Sequence, residues 1–186
     1  LYFCKNCGLL QLGHVVSPEL LFRKYLYVSS TSPVFIKHFE EYAQSVFKKF
    51  RLNKNSFVID IGSNDGTLLR SFQKRGMKVL GVDPAGEIAR QASESGVETL
   101  PRYFTADLAR SIRTDRGPAA VIAANNVIAN IDELYDVMDG IRTILAPDGV
   151  FVFETGYLLD MVQNSVFDNI YHEHISYHSV KPFETF

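Results

Sequence analysis

A strand-like run of apolar residues leads directly into an acidic loop that contains two glycines, and then into a helical pattern. Phe57-Val58-Ile59 precedes Asp60-Ile61-Gly62-Ser63-Asn64-Asp65-Gly66, and Thr67 begins the helical part. Buried parallel strands have such uninterrupted apolar runs, and ligands bind at their carboxyl ends in open α/β sheets. This segment therefore predicts a βαβ architecture with a ligand crevice beside the 60–66 loop.

Strand and helix patterns alternate along the rest of the chain. Strands are predicted at residues 57–62, 78–83, 119–125 and 149–154, with a short one near 97–100. Helices are predicted from Pro33 to about Phe50 and at residues 68–76, 88–96, 104–112 and 131–145. Pro147-Asp148-Gly149 is expected to form the turn before the last strand. We predict an α/β fold with a Rossmann-like, doubly wound parallel sheet.

The charges of the 60–66 loop discriminate between nucleotide cofactors. A pyrophosphate-binding turn typically has the pattern G-x-G-x-x-G, with no carboxylate among its N–H groups. Here Gly62 and Gly66 are four residues apart, Asp60 precedes the turn and Asp65 lies within it, so a pyrophosphate would meet negative charge. S-adenosylmethionine carries a sulfonium and an ammonium group and therefore suits this loop better.

Two further predicted strand ends carry polar residues toward the same crevice. Asp83-Pro84 ends the strand at 78–83, and a carboxylate there can accept hydrogen bonds from ribose hydroxyls. Asp83 would serve a nicotinamide dinucleotide equally well, so an NAD(P)-dependent Rossmann oxidoreductase acting on a sugar nucleotide remains the alternative. The predicted cofactor-binding residues are Asp60, Gly62, Asn64, Gly66, Asp83, Pro84, Asn125 and Asn126.

The composition is that of an ordinary globular domain. The 186 residues are 46% hydrophobic and carry a formal net charge of −2, without a basic stripe that would indicate nucleic-acid binding. No apolar run approaches the ~20 residues of a membrane-spanning helix. We expect a cytoplasmic monomer that binds neither nucleic acid nor membrane. Because the chain begins with Leu1 and ends without a closing element, we also expect a piece of a longer protein.

Tyr171-His172-Glu173-His174 is the second dense group of polar residues. A neutral imidazole near the crevice can act as a general base at neutral pH. A metal site is a weaker hypothesis, because in an extended segment Glu173 would point away from His172 and His174. A polar surface turn is the structural alternative.

Several segments together resemble the S-adenosylmethionine-dependent sugar C-methyltransferases, a family that includes the C-3 methyltransferases of TDP-linked keto-deoxysugars. The resemblance runs through nearly the whole chain, and the Y-H-E-H motif at 171–174 is its most specific part. The segments that carry it are residues 4–9, 22–30, 60–66, 126–131 and 171–174. It implies C-methylation of a nucleotide-linked keto-deoxysugar through an enolate.

The family has an N-terminal zinc-binding domain, a central methyltransferase sheet and a C-terminal domain that helps to hold the nucleotide sugar. Accordingly, residues 1–32 are expected to be a remnant of the zinc-binding region with a substrate-side segment. Residues 33–160 would form the cofactor-binding domain, and 161–186 would begin the truncated C-terminal region. Only one of the family's two Cys pairs, Cys4 and Cys7, is present. Structural zinc is therefore expected only in a longer chain.

The resemblance also implies catalytic roles. His174 would be the base, Glu173 would orient or polarise it, and Tyr171 with Tyr25 or Tyr27 would donate hydrogen bonds to substrate oxygens. Asn130 stands where the family often has a histidine, and an amide cannot exchange a proton at neutral pH. A non-catalytic domain that only binds the cofactor or a partner is a third hypothesis.

Overall fold

The computed structural model describes residues 1–185, and its strands form two sheets. The strands are β1 (Tyr2–Phe3), β2 (Leu10–Gln11), β3 (Phe57–Ile61), β4 (Lys78–Val82), β5 (Thr99–Leu100), β6 (Ala119–Asn125), β7 (Leu145–Glu154) and β8 (Ser176–Tyr177). The helices are α1 (Pro18–Phe22), α2 (Pro33–Lys49), α3 (Thr67–Gln73), α4 (Gly86–Glu94), α5 (Ala106–Arg116), α6 (Leu134–Ile144), α7 (Leu158–Gln163) and α8 (Val180–Phe183). Short 3-10 turns occur at Ser29–Thr31 and Ile128–Asn130.

The larger sheet has the strand order β5-β4-β3-β6-β7, and every neighbouring pair is parallel. The direction of winding reverses between β3 and β6, where Asp60 pairs with Ala123. In an open α/β sheet, this reversal opens a crevice at the carboxyl ends of the two strands. The predicted α/β doubly wound fold is confirmed.

Both faces of this sheet are covered by helices. On one face, α5 and α6 pack over β3 through Ile112, Ile141 and Ile144, and on the other face α2 and α3 pack through Val46 and Phe72. Every residue of β3 is consequently buried, which explains its uninterrupted apolar run.

Several predicted boundaries differ from the structure. The helix predicted at 104–112 begins later, at Ala106, because the Thr105 hydroxyl accepts a hydrogen bond from the N–H of Leu108 and caps the helix. The helix predicted at 131–145 begins at Leu134, after the 3-10 turn at Ile128–Asn130.

The prediction of a turn at residues 147–149, before the last strand, is wrong. Strand β7 already begins at Leu145, opposite Ala119, and includes this Pro-Asp-Gly sequence. The pairing with β6 shifts register between Ala119 and Val121. An irregularity of this kind accommodates a proline, which has no N–H for the ladder, without ending the strand.

The smaller sheet joins the two ends of the described chain. Its order is β1-β2-β8, both pairs are antiparallel, and Leu10 pairs with Tyr177. The N–H of Ile175 also donates to the carbonyl of Ala129 at 2.8 Å, which fixes this sheet next to the end of β6. Among residues 1–185, no helix combines the length and the apolarity needed to cross a bilayer.

Candidate active site

A cavity of about 1130 Å³ lies at the carboxyl ends of β3, β4 and β6. It brings together nearly all the residues predicted for the cofactor and for catalysis. Those that line it are Tyr25, Tyr27, Asp60, Gly62, Asn64, Asp83, Pro84, Asn125, Asn126, Tyr171, Glu173 and His174. Gly66 does not line the cavity; it adopts φ +78° before α3, with Val97 directly beside it.

The turn after β3 depends on Gly62. This residue has φ +70°, its N–H donates to Val82 O at 2.8 Å, and a Cβ there would lie 2.3 Å from Val127 Cγ2. Only glycine combines this left-handed conformation with such a close approach. The turn therefore holds the loop backbone tightly between β4 and the residues after β6.

The Asp83 carboxylate is fixed by two backbone N–H groups. Asn64 N–H donates to Oδ2 and Ala85 N–H donates to Oδ1, both at 2.8 Å. Burial raises the pKa of Asp83 above its ordinary value, and these two hydrogen bonds offset only part of that increase. Each carboxylate oxygen has a second lone pair, so Asp83 can still accept hydrogen bonds from a pair of ligand hydroxyls.

Asp60 is only 4% exposed and ends the same wall of the cavity. Its burial, and then the charge of Asp83, raise the pKa of Asp60 well above the ordinary value. A cationic ligand beside it would stabilise the ionised form. The donor and acceptor set thus fits a ligand with a positive charge at Asp60 and hydroxyls at Asp83.

Other polar atoms around the cavity are buried without a hydrogen-bond partner among the described residues. They are Ser63 Oγ, Asn130 Oδ1 and Asn125 Oδ1. Buried polar groups are nearly always paired, so unpaired ones that line a cavity indicate ligand contacts. These residues also fit the nucleoside and amino-acid parts of S-adenosylmethionine.

His174 also lines the cavity and is held by two neighbours. Its Nδ1 lies 3.1 Å from Asn169 O, and its Nε2 lies 3.2 Å from the Tyr171 hydroxyl. A carbonyl can only accept a hydrogen bond, so the neutral ring carries its proton on Nδ1 and its lone pair on Nε2. The basic nitrogen of His174 is therefore Nε2.

The geometry changes the role that the sequence suggested for Glu173. Glu173 Oε2 accepts a hydrogen bond of 3.4 Å from the Tyr25 hydroxyl, whereas His174 is oriented by Asn169 O. Burial, followed by the charge of Glu173, raises the pKa of Tyr25 to about 12. Tyr25 is therefore a neutral donor near pH 7, and Glu173 positions Tyr25 rather than the histidine.

The other histidines of this region lie outside the cavity. His172 makes an edge-to-face contact with His14, with ring centroids 6.3 Å apart. His178 is buried, stacks on Phe183 and lies 2.8 Å from Ser176 Oγ through Nε2. The Y-H-E-H motif therefore adopts a turn that directs only its first, third and fourth residues to the cavity.

Sequence reasoning missed much of the cavity wall. The missed residues include Glu19, Phe22, Phe35, Phe39, Tyr103 and Asp132. Tyr103 could have been found, because it follows β5 at the same sheet edge as Asp83. Phe35 and Phe39 belong to the apolar pattern of α2, which gave no sign that these rings face a ligand cavity.

Cys4 and Cys7 do not line the cavity and lie in the turn between β1 and β2. Hydrogen bonds from the N–H and thiol of Cys7 lower the pKa of the exposed Cys4 thiol, which favours the thiolate form that binds metals. Within residues 1–185, no group of three or more His, Cys, Asp or Glu residues is placed to hold a metal ion. Zinc binding in a longer chain stays a prediction.

The pattern of one protein family, described as a methyltransferase domain, matches residues 35–185 and hence most of the chain. The chain belongs to this methyltransferase domain family. It is also 38% identical over 177 residues to the C-methyltransferase NovU of Streptomyces niveus. That alignment covers 95% of this chain but only 42% of NovU. This chain thus spans about two fifths of the length of this relative.

Solved structures share the fold of this methyltransferase domain at low identity. A methyltransferase from Archaeoglobus fulgidus, described as dependent on S-adenosylmethionine, superposes with a TM-score of 0.59 at 15% identity and covers 82% of this chain and 69% of its own. The plantazolicin methyltransferase BpumL, solved with S-adenosylhomocysteine, gives 0.57 at 12% identity, with coverages of 78% and 56%. The Rossmann-like, doubly wound fold predicted from the sequence is thus confirmed as that of class I methyltransferases.

Proposed function

We propose that the complete protein is an S-adenosylmethionine-dependent C-methyltransferase that acts next to the ketone of a nucleotide-linked deoxysugar. The observation that carries this proposal is the position of His174 Nε2. This basic nitrogen shares a cavity with the Asp60 and Asp83 carboxylates. The name of NovU as a C-methyltransferase supports carbon as the methyl acceptor, because carbon must lose a proton to become nucleophilic.

The cofactor side would hold S-adenosylmethionine through Asp83, Asp60 and the Gly62 turn. Asp83 would accept from the ribose hydroxyls, and Asp60 would balance positive charge. The Asn125 amide oxygen would be available as an acceptor. S-adenosylmethionine supplies an electrophilic methyl group; the remaining chemistry belongs to the substrate and this chain.

Proton transfer would be the task of His174. Its Nε2 would remove the proton from the carbon next to the ketone, and the resulting imidazolium would be stabilised because Nδ1–H already faces Asn169 O at 3.1 Å. The Tyr171 hydroxyl donates to Nε2 in this structure, so it must turn toward the substrate oxygen to free the base.

Tyr171 suits a donor role better than a base role. Burial, and then the charge of Glu173, raise its pKa, so the hydroxyl keeps its proton near pH 7. It can therefore donate to the oxygen that gains negative charge in the enolate. Tyr25 and Tyr27 would donate to other substrate oxygens, and Asn130 Oδ1, which is buried without a partner, would accept from a sugar hydroxyl.

The test uses the full-length protein with a TDP-linked keto-deoxysugar and S-adenosylmethionine. Mass spectrometry should show one added methyl group on the sugar, attached to carbon. His174→Asn should lower methyl transfer by about 10²–10⁴-fold, the usual contribution of a general base. His172→Asn is the matched control, because His172 lies outside the cavity, and it should retain activity.

Solvent exchange separates the base from the later methyl transfer. With S-adenosylhomocysteine bound, the parent should exchange the α-proton of the sugar with deuterated water, and His174→Asn should not. Exchange at the parent rate in His174→Asn would show that another residue is the base. Methylation on oxygen would overturn the proposed reaction.

A further inference from the structure

The tyrosine segment, residues 25–32, connects α1 to α2, and its residues Tyr25, Tyr27 and Ser29 line the cavity. Apart from the 3-10 turn at Ser29–Thr31 it has no regular structure, and Leu26 is 91% exposed. Helical or strand hydrogen bonds therefore do not fix the part that carries Tyr25 and Tyr27. Their positions must depend on contacts with neighbouring elements.

The Asn64 side chain provides two of these contacts. Its Oδ1 accepts from Ser29 N–H at 2.9 Å, and its Nδ2 donates to Tyr27 O at 2.8 Å. The neighbouring Asp65 adds a weaker bond, accepting from Ser30 N–H at 3.3 Å. One buried amide thus holds the tyrosine segment from both sides of Val28.

The backbone of the same residue belongs to the cofactor side. Asn64 N–H donates to Asp83 Oδ2, and the residue adopts φ +51°. Asparagine tolerates this left-handed conformation better than most residues, and its amide supplies one donor and one acceptor. Asp83 and Tyr27 are therefore connected through a single residue.

We propose that Asn64 is a positioning residue that couples cofactor binding to the position of Tyr25 and Tyr27. A ligand on Asp83 and the Gly62 turn immobilises the Asn64 backbone, and the Asn64 amide transmits this restraint to the tyrosine segment. Tyr25 then stays within reach of Glu173, to which its hydroxyl donates at 3.4 Å. The proposal deepens the proposed function and depends on its cofactor site, but not on the identity of the sugar.

Hydrogen–deuterium exchange of the full-length protein, with and without S-adenosylhomocysteine, tests the coupling. In the parent, saturation with this ligand should slow exchange in the tyrosine segment by about tenfold, a typical coupling between sites. Asn64→Gly keeps the left-handed backbone but removes the amide, so this protection should disappear. Asn64→Asp keeps the acceptor for Ser29 but loses the donor to Tyr27, so it should retain part of the protection.

Ser29→Pro breaks the same contact from the other side, because proline has no N–H to donate. Val28 is extended, at φ −125° and ψ 120°, which is compatible with a following proline. Combined with Asn64→Gly, it should add little further loss of protection. Gln73→Ala is the matched control. It also removes a hydrogen bond from a side-chain amide to a backbone carbonyl, Gly96 O, but Gln73 is not bonded to the tyrosine segment. It should keep the parent response.

Calorimetry on the same samples measures ligand binding directly. Binding without slower exchange in the parent, or full protection in Asn64→Gly, would overturn the role of Asn64 and leave the cofactor site intact. If the parent does not bind S-adenosylhomocysteine, the cofactor assignment fails and this proposal fails with it. Loss of protection in Gln73→Ala would also contradict it, because the effect would then be a general loosening.

Discussion

The two sides of the cavity are built in different ways. The cofactor side, where we propose that S-adenosylmethionine binds, consists of strand ends and tight turns, and its two carboxylates, Asp60 and Asp83, are buried at 4% and 7% exposure. The substrate side, where we propose that the sugar binds, consists of the tyrosine segment and the 171–174 turn, and Tyr27 and Tyr171 are 44% and 43% exposed there. The cofactor side is fixed by the sheet, whereas the substrate side is fixed by a few hydrogen bonds between side chains and backbone.

This difference in rigidity suits the two sides to different tasks. A rigid cofactor side suits a ligand that is the same in every turnover, whereas an exposed substrate side can adjust to a substrate or to further parts of a longer chain. Changes to the sheet edge should therefore affect folding and cofactor binding together. Changes to the substrate side should affect catalysis first.

The largest expected effect on stability comes from a substitution of Gly62, in the turn after β3 on the cofactor side. Gly62→Ala puts a Cβ at φ +70° and 2.3 Å from Val127 Cγ2. We expect a loss of about 2–4 kcal/mol in the free energy of unfolding, from left-handed strain and overpacking. Urea unfolding measures it.

Gly86→Ala is the control for this change, because nothing lies within 4 Å of a Cβ at Gly86. It should be neutral or slightly stabilising. Similar losses in the two variants would show that the turn after β3 is no tighter than the surface of the domain.

A smaller effect concerns His178, which anchors the region behind the substrate side. Burial lowers the pKa of His178 from 6.5 to about 4, so the folded protein prefers the neutral ring. Its contribution to stability is full above pH 6.5 and is lost as the pH falls toward 4. The loss should reach about 3 kcal/mol at most.

His178→Phe should therefore flatten the decline in the free energy of unfolding between pH 6.5 and 4, even if it lowers stability at pH 7. Urea unfolding at several pH values gives both curves. Parallel curves for parent and variant would show that folding does not lower the pKa of His178.

The smallest expected effect on stability comes from a substitution of Asp60, on the cofactor side. Because the folded protein disfavours the Asp60 carboxylate, Asp60→Asn should raise the free energy of unfolding at pH 7 without ligand by about 0.5–2 kcal/mol. The gain should shrink as the pH falls, since the parent carboxyl then becomes neutral. The same variant should bind S-adenosylhomocysteine more weakly. If Asp60→Asn lowered the free energy of unfolding at pH 7, the folded protein would not disfavour the Asp60 carboxylate.

The sheet and the cofactor side could be predicted because local sequence determines them. The apolar run of β3, the glycine at 62 and Asp83 at the end of β4 each give a signal within a few residues. The early start of β7 was missed because Pro147 and Gly149 normally mark turns, and only the pairing with β6 shows otherwise.

The substrate side could be predicted only as a set of residues. The resemblance found Tyr25, Tyr171 and His174, but their contacts depend on parts of the chain that are distant in sequence or on backbone atoms. His174 is oriented by the backbone carbonyl of Asn169, and this contact cannot be predicted from the sequence because every residue type has a backbone carbonyl. Strands β1, β2 and β8 are two residues long, too short for any periodicity.

The central claim is that Asp83 on the cofactor side binds the cofactor, whereas His174 on the substrate side transfers the proton, and calorimetric titration of the full-length protein with S-adenosylhomocysteine tests it most directly. Asp83→Ala should weaken binding by about tenfold or more, the cost of a lost charge-assisted hydrogen bond, whereas His174→Asn should bind like the parent. Equal losses in the two variants, or tighter binding of NAD than of S-adenosylhomocysteine by the parent, would contradict the account.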